Sequence, residues 1–553
     1  MASLLPISGT LGVKRAAHLL RRTTFGPSRA DIDSFAGKTP DEALAVLFAD
    51  VPVPNPPIDV KTGVTWLNPK ATGNNSEQEM LMSYFMAWHL ERMRQSGTSI
   101  KERITFFYHS HIPTRWSIVQ SSEAIYYQNA LFRYYAFGSF KDLFTKICID
   151  NAMLVNLDGA LNNASDPNEN FAREMFELYT IGKGPEIEDG NYTNFTEADI
   201  RAAARVLSGY KYDDSFTNID SDSGIPIGML YTEYTPHVAN RHDAGVKTFS
   251  SAFGGKVIQP ATLSGNYATD TAALGELQEL MDMIFGQAET AKFIARKIYR
   301  FFVYYDISTE IETDVIAPLA DTLRNNNYSV KAALEVLLKS EHFFDADTPQ
   351  TSDDNIGAII KSPIDLVTGM FRYFEVTFPD EATETATLYD TVYKNGILGY
   401  FTDMGLDFYE PLDVAGYDAY FQVPTFNRYW ITTLTLANRY LFAERLIDGM
   451  NNAGTDLGIK LDAVKFIDNS SRFSDPSNST TLLQEIVQYF LAVELDTDRF
   501  NYFLNDILLD TLSQTNWQTE WINYKSSGVD TSVRAQLEKL FIALMQSPEF
   551  QLF

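Results

Sequence analysis

Two of the chain's seven histidines, His109 and His111, stand one residue apart in "FFYHSHIPTRW", residues 106–116. Their geometry decides their chemistry. If a helix starting at Ser99 ran on through 111, two helical steps of about 200° would point the two rings apart. His111 would then share an apolar stripe with Ile100, Ile104 and Phe107 and simply pack. Pro113, however, disfavours the α region for Ile112, so the spacing predicts fraying over 109–112. In extended backbone, H-x-H sends both imidazoles to one side. Imidazoles with a carboxylate and open positions suit a divalent metal, Zn or non-haem Fe. Glu174 and His242 are the completing ligands nominated from other polar segments. Three readings stay open: a His109/His111/Glu174/His242 metal site, a metal-free polar cluster, or structural histidines satisfied by hydrogen bonds.

Two further stretches carry chemistry-bearing side chains. "DPNENFAREMFELYTIG" reads as a helix over 167–181, with Phe171, Ala172, Met175, Phe176, Leu178 and Tyr179 on a wide apolar arc. Its narrow polar face carries Asn170, Arg173, Glu174 and Glu177. The functional reading makes Glu174 and Glu177 catalytic carboxylates, Asn170 and Arg173 substrate-binding groups, and Arg173 the holder of Glu177. The plainer reading is an ion-paired solvated face, worth about 0.3–0.5 kcal/mol per pair. "RHDAGVKTF" groups Arg241, His242, Asp243 and Lys247 around Gly245, in what reads as a binding loop. Asp243 and Lys247 are the catalytic candidates there and Arg241 a substrate-binding one, although Asp243 could equally cap a turn. His18 and His89 lie among apolar neighbours and read as core residues, and His342 as a surface or packing position. The single cysteine, Cys148, reads as a buried free thiol. No nucleophile elbow, Walker loop, H-E-x-x-H or dinucleotide fingerprint occurs.

The elements that must position these groups are mainly helices. Ser99 with Glu102, Asp166 with Glu169, and Thr196 with Asp199 read as N-terminal caps, and Gly97, Gly182 and Gly209 as stops. Met82, Phe85, Met86, His89 and Met93 line one helical face. The fold class expected is mainly α, multi-helical, with a small β-hairpin insertion near 225–260. Two similar helical modules, closing on Ser340/Phe343 and Ser547/Phe550, suggest an internal duplication. The expected organisation is an N-terminal helical domain, 1–345, bearing the three motifs, and a C-terminal helical domain, 346–553. The linker candidates are 345–355 and 468–480.

With 72 acidic against 44 basic residues the net charge is −28. Such a field repels phosphate backbones and anionic lipid, so no nucleic-acid partner is expected. No apolar run approaches the ~18 residues that span a bilayer, so no integral membrane segment is expected. The N-terminus lacks a basic region before an apolar core and so shows no signal peptide. The compartment expected from this is cytoplasmic, the alternative being export by a route the N-terminus does not display.

Six stretches occur in order: "RAAHLLRRTTFGPS", "NENFAREMFELYTIG", "RHDAGVKTF", "KSPIDLVTGMFRY", "PLDVAGY" and "SPEF". Together they resemble the bacterial family catalogued as domain of unknown function 1800, from about residue 14 to the C-terminus. "YHSHI" stands where that family reads "WHNHF", and Gly209–Tyr210 and Gly416–Tyr417 where it reads "GW". The resemblance implies no activity. It does imply envelope association, since many relatives look exported. Two functions are expected: a metal-assisted hydrolase or oxidoreductase acting on an envelope or polysaccharide-type substrate, or a non-catalytic envelope-associated binding or assembly protein.

Overall fold

The helical periodicity of the chain is expressed throughout the structure, a computed structural model that describes residues 2–67, 75–232, 236–347, 354–452, 454–469 and 472–553. Helices dominate, and the described strands are two or three residues long, in small antiparallel sheets. The region 225–260 holds more than the expected single hairpin. Met229–Leu230 pairs with Tyr210–Lys211, Val238–Ala239 with Tyr267–Thr269, and Lys247–Thr248 with Val257–Ile258. Part of that region, 233–235, lies outside the described residues, as do 348–353 of the first linker candidate and 470–471 of the second. Among the described residues no helix is long and apolar enough to cross a membrane.

The two S-x-x-F modules close alike. The Ser340 hydroxyl accepts from the Phe343 N–H at 3.1 Å, and the Ser547 hydroxyl from the Phe550 N–H at 3.3 Å. Each end then bridges backbone that leads into a helix: Ser340 meets Pro6 ahead of Gly12–Thr23, and Leu552 meets Ile360 ahead of Pro363–Tyr373. The connection that follows the first of these helices meets the second through glycine. A Cβ on Gly26, at φ +101°, would lie 2.4 Å from the Gly369 Cα, so only a bare backbone allows the approach. Residues on both sides of position 345 share one apolar core. Beneath this contact Arg103 of helix Lys101–His111 pairs with Asp365, both buried.

Not every expected cap forms. Thr196 and Asp199 make a reciprocal capping box on Glu197–Val206, as read. Ser99 instead accepts from the Lys101 N–H, because Glu102 is drawn into a two-pronged pair with Arg133 at 2.7 and 2.7 Å. Asp166 caps nothing. The Asn163 side chain gathers the 165 and 166 N–H groups, and the helix begins only at Asn170. The Thr196 box yields a first prediction. Thr196→Ala should cost about 1 kcal/mol in a urea unfolding titration, since the Asp199 N–H loses its acceptor and the Asp199 carboxylate loses the Thr196 hydroxyl. A change under about 0.3 kcal/mol would show the box contributes nothing.

Candidate functional site

Helix Lys101–His111 does not fray at its histidines. It stays helical through His111, and Ile112 leaves it at φ −125°, ψ 69°. The Pro113 restriction therefore acts on Ile112 alone and does not fray 109–111, and the helical turn carries the two imidazoles to different neighbours. His109 is fully buried, with its Nε2 3.2 Å from the Tyr417 hydroxyl and its ring 4.1 Å from that of Tyr409. His111 places Nε2 3.1 Å from the Tyr179 carbonyl and stacks on Phe107. A carbonyl only accepts, so Nε2 carries the proton and Nδ1 presents a lone pair. Burial pushes His109 down to about 3 and His111 well below the usual imidazole value, so both rings are neutral at pH 7.

The loop "PLDVAGY", 411–417, holds this helix end in place. Gly416, at φ +108°, lies so close that a Cβ would meet the Ser110 carbonyl oxygen at 2.6 Å. Tyr417 bonds His109, and the Val414 carbonyl accepts the Tyr179 hydroxyl at 3.1 Å. The loop thus clamps the 101–111 helix to the segment bearing Glu174.

That segment departs from the regular helix expected over 167–181. Asn170–Glu174 is α-helical, but Met175–Thr180 widens into a π-helix, a form frequent at functional sites. Thr180 donates its hydroxyl to the Met175 carbonyl at 2.6 Å, and the Gly182 N–H reaches back to the Phe176 carbonyl at 2.8 Å. Gly182, at φ +72°, ends the helix as read. Arg173 does not chiefly hold Glu177, which it approaches only at 3.9 Å. It forks onto Glu197 at 2.5 and 2.8 Å, while Lys183 pairs with Glu177 at 2.8 Å. Glu174, half-buried, has no hydrogen bond or ion pair among the described residues. Its carboxyl is raised to about 6, first by burial and then by the Glu177 charge, with Asp413 adding to it. Asn170 is exposed, its side-chain amide 3.5 Å from the Leu157 carbonyl.

Behind the helix end lies a small pocket of about 290 Å³ of empty space, its open mouth included, lined by Ser110, His111, Lys297, Phe301, Tyr420 and Phe421 among others. Burial beside these apolar and aromatic groups brings the Lys297 ammonium down to about 8, with Arg300 contributing. Lys297 escaped the sequence reading because, inside the amphipathic helix Ala288–Phe302, it has the spacing of any surface lysine.

"RHDAGVK" is a separate place. His242 packs between the Ser208 carbonyl, 2.8 Å from Nδ1, and Glu276 Oε2, 3.1 Å from Nε2. Lys247 pairs with the same Glu276, and all three side chains are buried. Asp243 orients no imidazole. It takes the Arg205 guanidinium at 2.7 and 2.9 Å and caps its own turn through the Gly245 N–H at 2.7 Å. Arg241 is exposed and lies over the Tyr231 ring at 3.8 Å. Among the described residues no group of three or more His, Cys, Asp or Glu is arranged to hold a metal. The set His109, His111, Glu174 and His242 is therefore not brought together. Of the nominated residues, the structure gathers Glu174 and Glu177 near the clamped end of the His109–His111 helix and leaves Arg241, His242, Asp243 and Lys247 elsewhere. The other core histidines are as read. His18 bonds the Phe343 carbonyl at 3.0 Å, His89 receives the Tyr409 hydroxyl at 2.9 Å, and His342 is buried against Tyr299 at 2.8 Å.

No curated protein and no solved structure matches this chain. A family model does, over residues 18–552, nearly the whole length. The chain belongs to that family, described as protein of unknown function, DUF1800.

Proposed function

We propose that the chain is an acid–base hydrolase whose proton donor is Glu174, acting on a polysaccharide-type substrate. The observation that carries the reading is the state of Glu174. It is a half-buried carboxyl with no partner of its own, held up to about 6, beside Glu177, which Lys183 pairs at 2.8 Å. Carboxyl groups whose surroundings push their proton affinities apart divide the roles of acid and base. Cleavage of a glycosidic bond uses such a pair: the protonated group donates to the leaving oxygen, and a charged carboxylate activates water or attacks the sugar carbon. Glu177 and Asp413 are the neighbouring carboxyl groups available, and the 411–417 clamp fixes one relative to the other.

The test is release of reducing ends from a panel of bacterial envelope polysaccharides. Wild-type activity should fall as pH rises through about 6, because the acid must be protonated. Glu174→Gln, similar in shape but unable to donate a proton, should lose 10²–10⁴-fold in rate with its helical signal unchanged, as expected for a general acid. Full activity in Glu174→Gln, or no release from any polysaccharide between pH 4 and 8, overturns the reading.

A further inference from the structure

In a protein of net charge −28, one buried cluster is predominantly positive. Arg22, Arg103, Lys361 and Arg439 are all buried where the Gly12–Thr23 and Pro363–Tyr373 helices meet the C-terminal segment, with Asp365 the one buried carboxylate paired among them. Asp365 is already committed to Arg103 and to the Ser362 hydroxyl at 2.7 Å. Among the described residues the other three cations hydrogen-bond only neutral acceptors and form no ion pair, the Asp345 and Asp365 charges acting on Arg22 only through space. Arg22 donates to the Asn355 carbonyl, Lys361 to the Phe550 carbonyl, and Arg439 to the Lys361 carbonyl at 2.8 Å and the Gln551 side chain at 3.3 Å. Among the described residues Nε and Nη1 of Arg22 and Nε of Arg439 find no hydrogen-bond partner. Leaving a charge buried without a counter-ion costs several kcal/mol, so such a cluster calls for an anion.

A pocket opens beside it. About 430 Å³ of empty space, its mouth included, is lined by Arg21, Lys361, Asp365, Tyr373, Tyr489 and Phe490 among others. Arg21 reaches it partly exposed, bonding the Tyr489 carbonyl at 2.8 Å. The Tyr373 hydroxyl, on a buried ring in the pocket wall, has no hydrogen-bond partner among the described residues. Cations and an unused hydroxyl on one side, aromatic rings on the other, define the complement of an acid group on an apolar body.

We propose that this pocket is a binding site for the oxyanion head, carboxylate or phosphate, of a small organic acid, with Lys361 and Arg21 as its charged contacts and Tyr373 as its hydroxyl donor. Arg22 and Arg439 supply the positive field behind it. Burial, with the Arg103 charge adding to it, brings Arg22 down to about 9, and burial brings Arg439 to about 10. The site is distinct from the Glu174 region and does not depend on what that region does.

Titration of the full chain with sodium benzoate and, separately, inorganic phosphate tests it, by calorimetry and thermal melting against sodium chloride at matched ionic strength. A saturable melting-point rise with benzoate assigns an organic carboxylate, and one with phosphate alone a phosphate head. Either supports the site. Tyr373→Phe, which keeps the ring, should weaken binding about tenfold. Lys361→Met should abolish it and, with one uncompensated charge gone, melt no lower than wild type in chloride. Should Lys361→Met fail to fold, Tyr373→Phe still decides the matter. Equal shifts in benzoate, phosphate and chloride, or unchanged affinity in Tyr373→Phe, overturn the proposal.

Discussion

Glu276→Ala is expected to destabilise the protein by about 3–5 kcal/mol, the cost of removing one partner from a buried ion pair. Glu276 is the meeting point of His242 and Lys247, and among the described residues neither has a second carboxylate within bonding distance. The Lys247 ammonium would be left with the Asp243 carbonyl, in surroundings whose burial already lowers its proton affinity. His242 would keep only the Ser208 carbonyl. The damage should spread to the sheet of Lys247–Thr248 with Val257–Ile258 and to the close passage at Gly209, where a Cβ would lie 2.6 Å from the His242 nitrogen. Chemical denaturation of Glu276→Ala against the double variant Glu276→Leu/Lys247→Met is the measurement. The double variant should recover most of the loss, since an apolar pair of similar volume avoids desolvating the charges. A single-variant loss below about 1 kcal/mol would refute this account of the "RHDAGVK" motif as a structural strut.

Gly416→Ala is the second large effect expected, a loss of about 2–6 kcal/mol together with disruption of the Glu174 region. Two costs combine. An alanine at φ +108° is strained by roughly 1–3 kcal/mol, and the Cβ drives into the Ser110 carbonyl oxygen at 2.6 Å, an overpacking worth about 1–3 kcal/mol more. The loop can relieve the clash only by lifting off the helix end. That breaks the Tyr417–His109 and Tyr179–Val414 hydrogen bonds and moves Asp413 away from Glu174. With that charge and some of the cover withdrawn, the Glu174 carboxyl should titrate lower than about 6, which carboxyl ¹³C shifts would read directly. A Gly416→Ala protein as stable as wild type, with Glu174 unmoved, would show that the loop does not hold the site.

Local chemistry made much of this protein legible. Capping residues and 3.6-residue periodicity specify Glu197–Val206, the buried stripe of Met82, Phe85, His89 and Met93, and the two S-x-x-F closures, because each depends on atoms within a few residues. The ordered motifs from 14 onward were enough to suggest the family. His18 and His89 could be read as core residues from their apolar neighbours alone.

What sequence left open turned on partners distant along the chain. Ser99 and Glu102 have the spacing of a capping box, but Arg133 offers Glu102 a charged fork, which outweighs a single neutral cap bond. The residue pair at 109 and 111 was compatible with either a frayed or a helical end. The loop at 411–417, some 300 residues away, supplies Tyr417 to His109 and packs Gly416 onto Ser110, and so stabilises the helix through His111. The same loop brings the Asp413 charge to bear on Glu174, an influence that no local pattern encodes. Periodicity could show that Lys361, Arg22 and Arg439 belong to helices or their ends, but not that they converge. Whether a charge is solvated or buried with others of its sign is fixed only when separate segments pack, because desolvation depends on everything around a group and not on its neighbours in sequence.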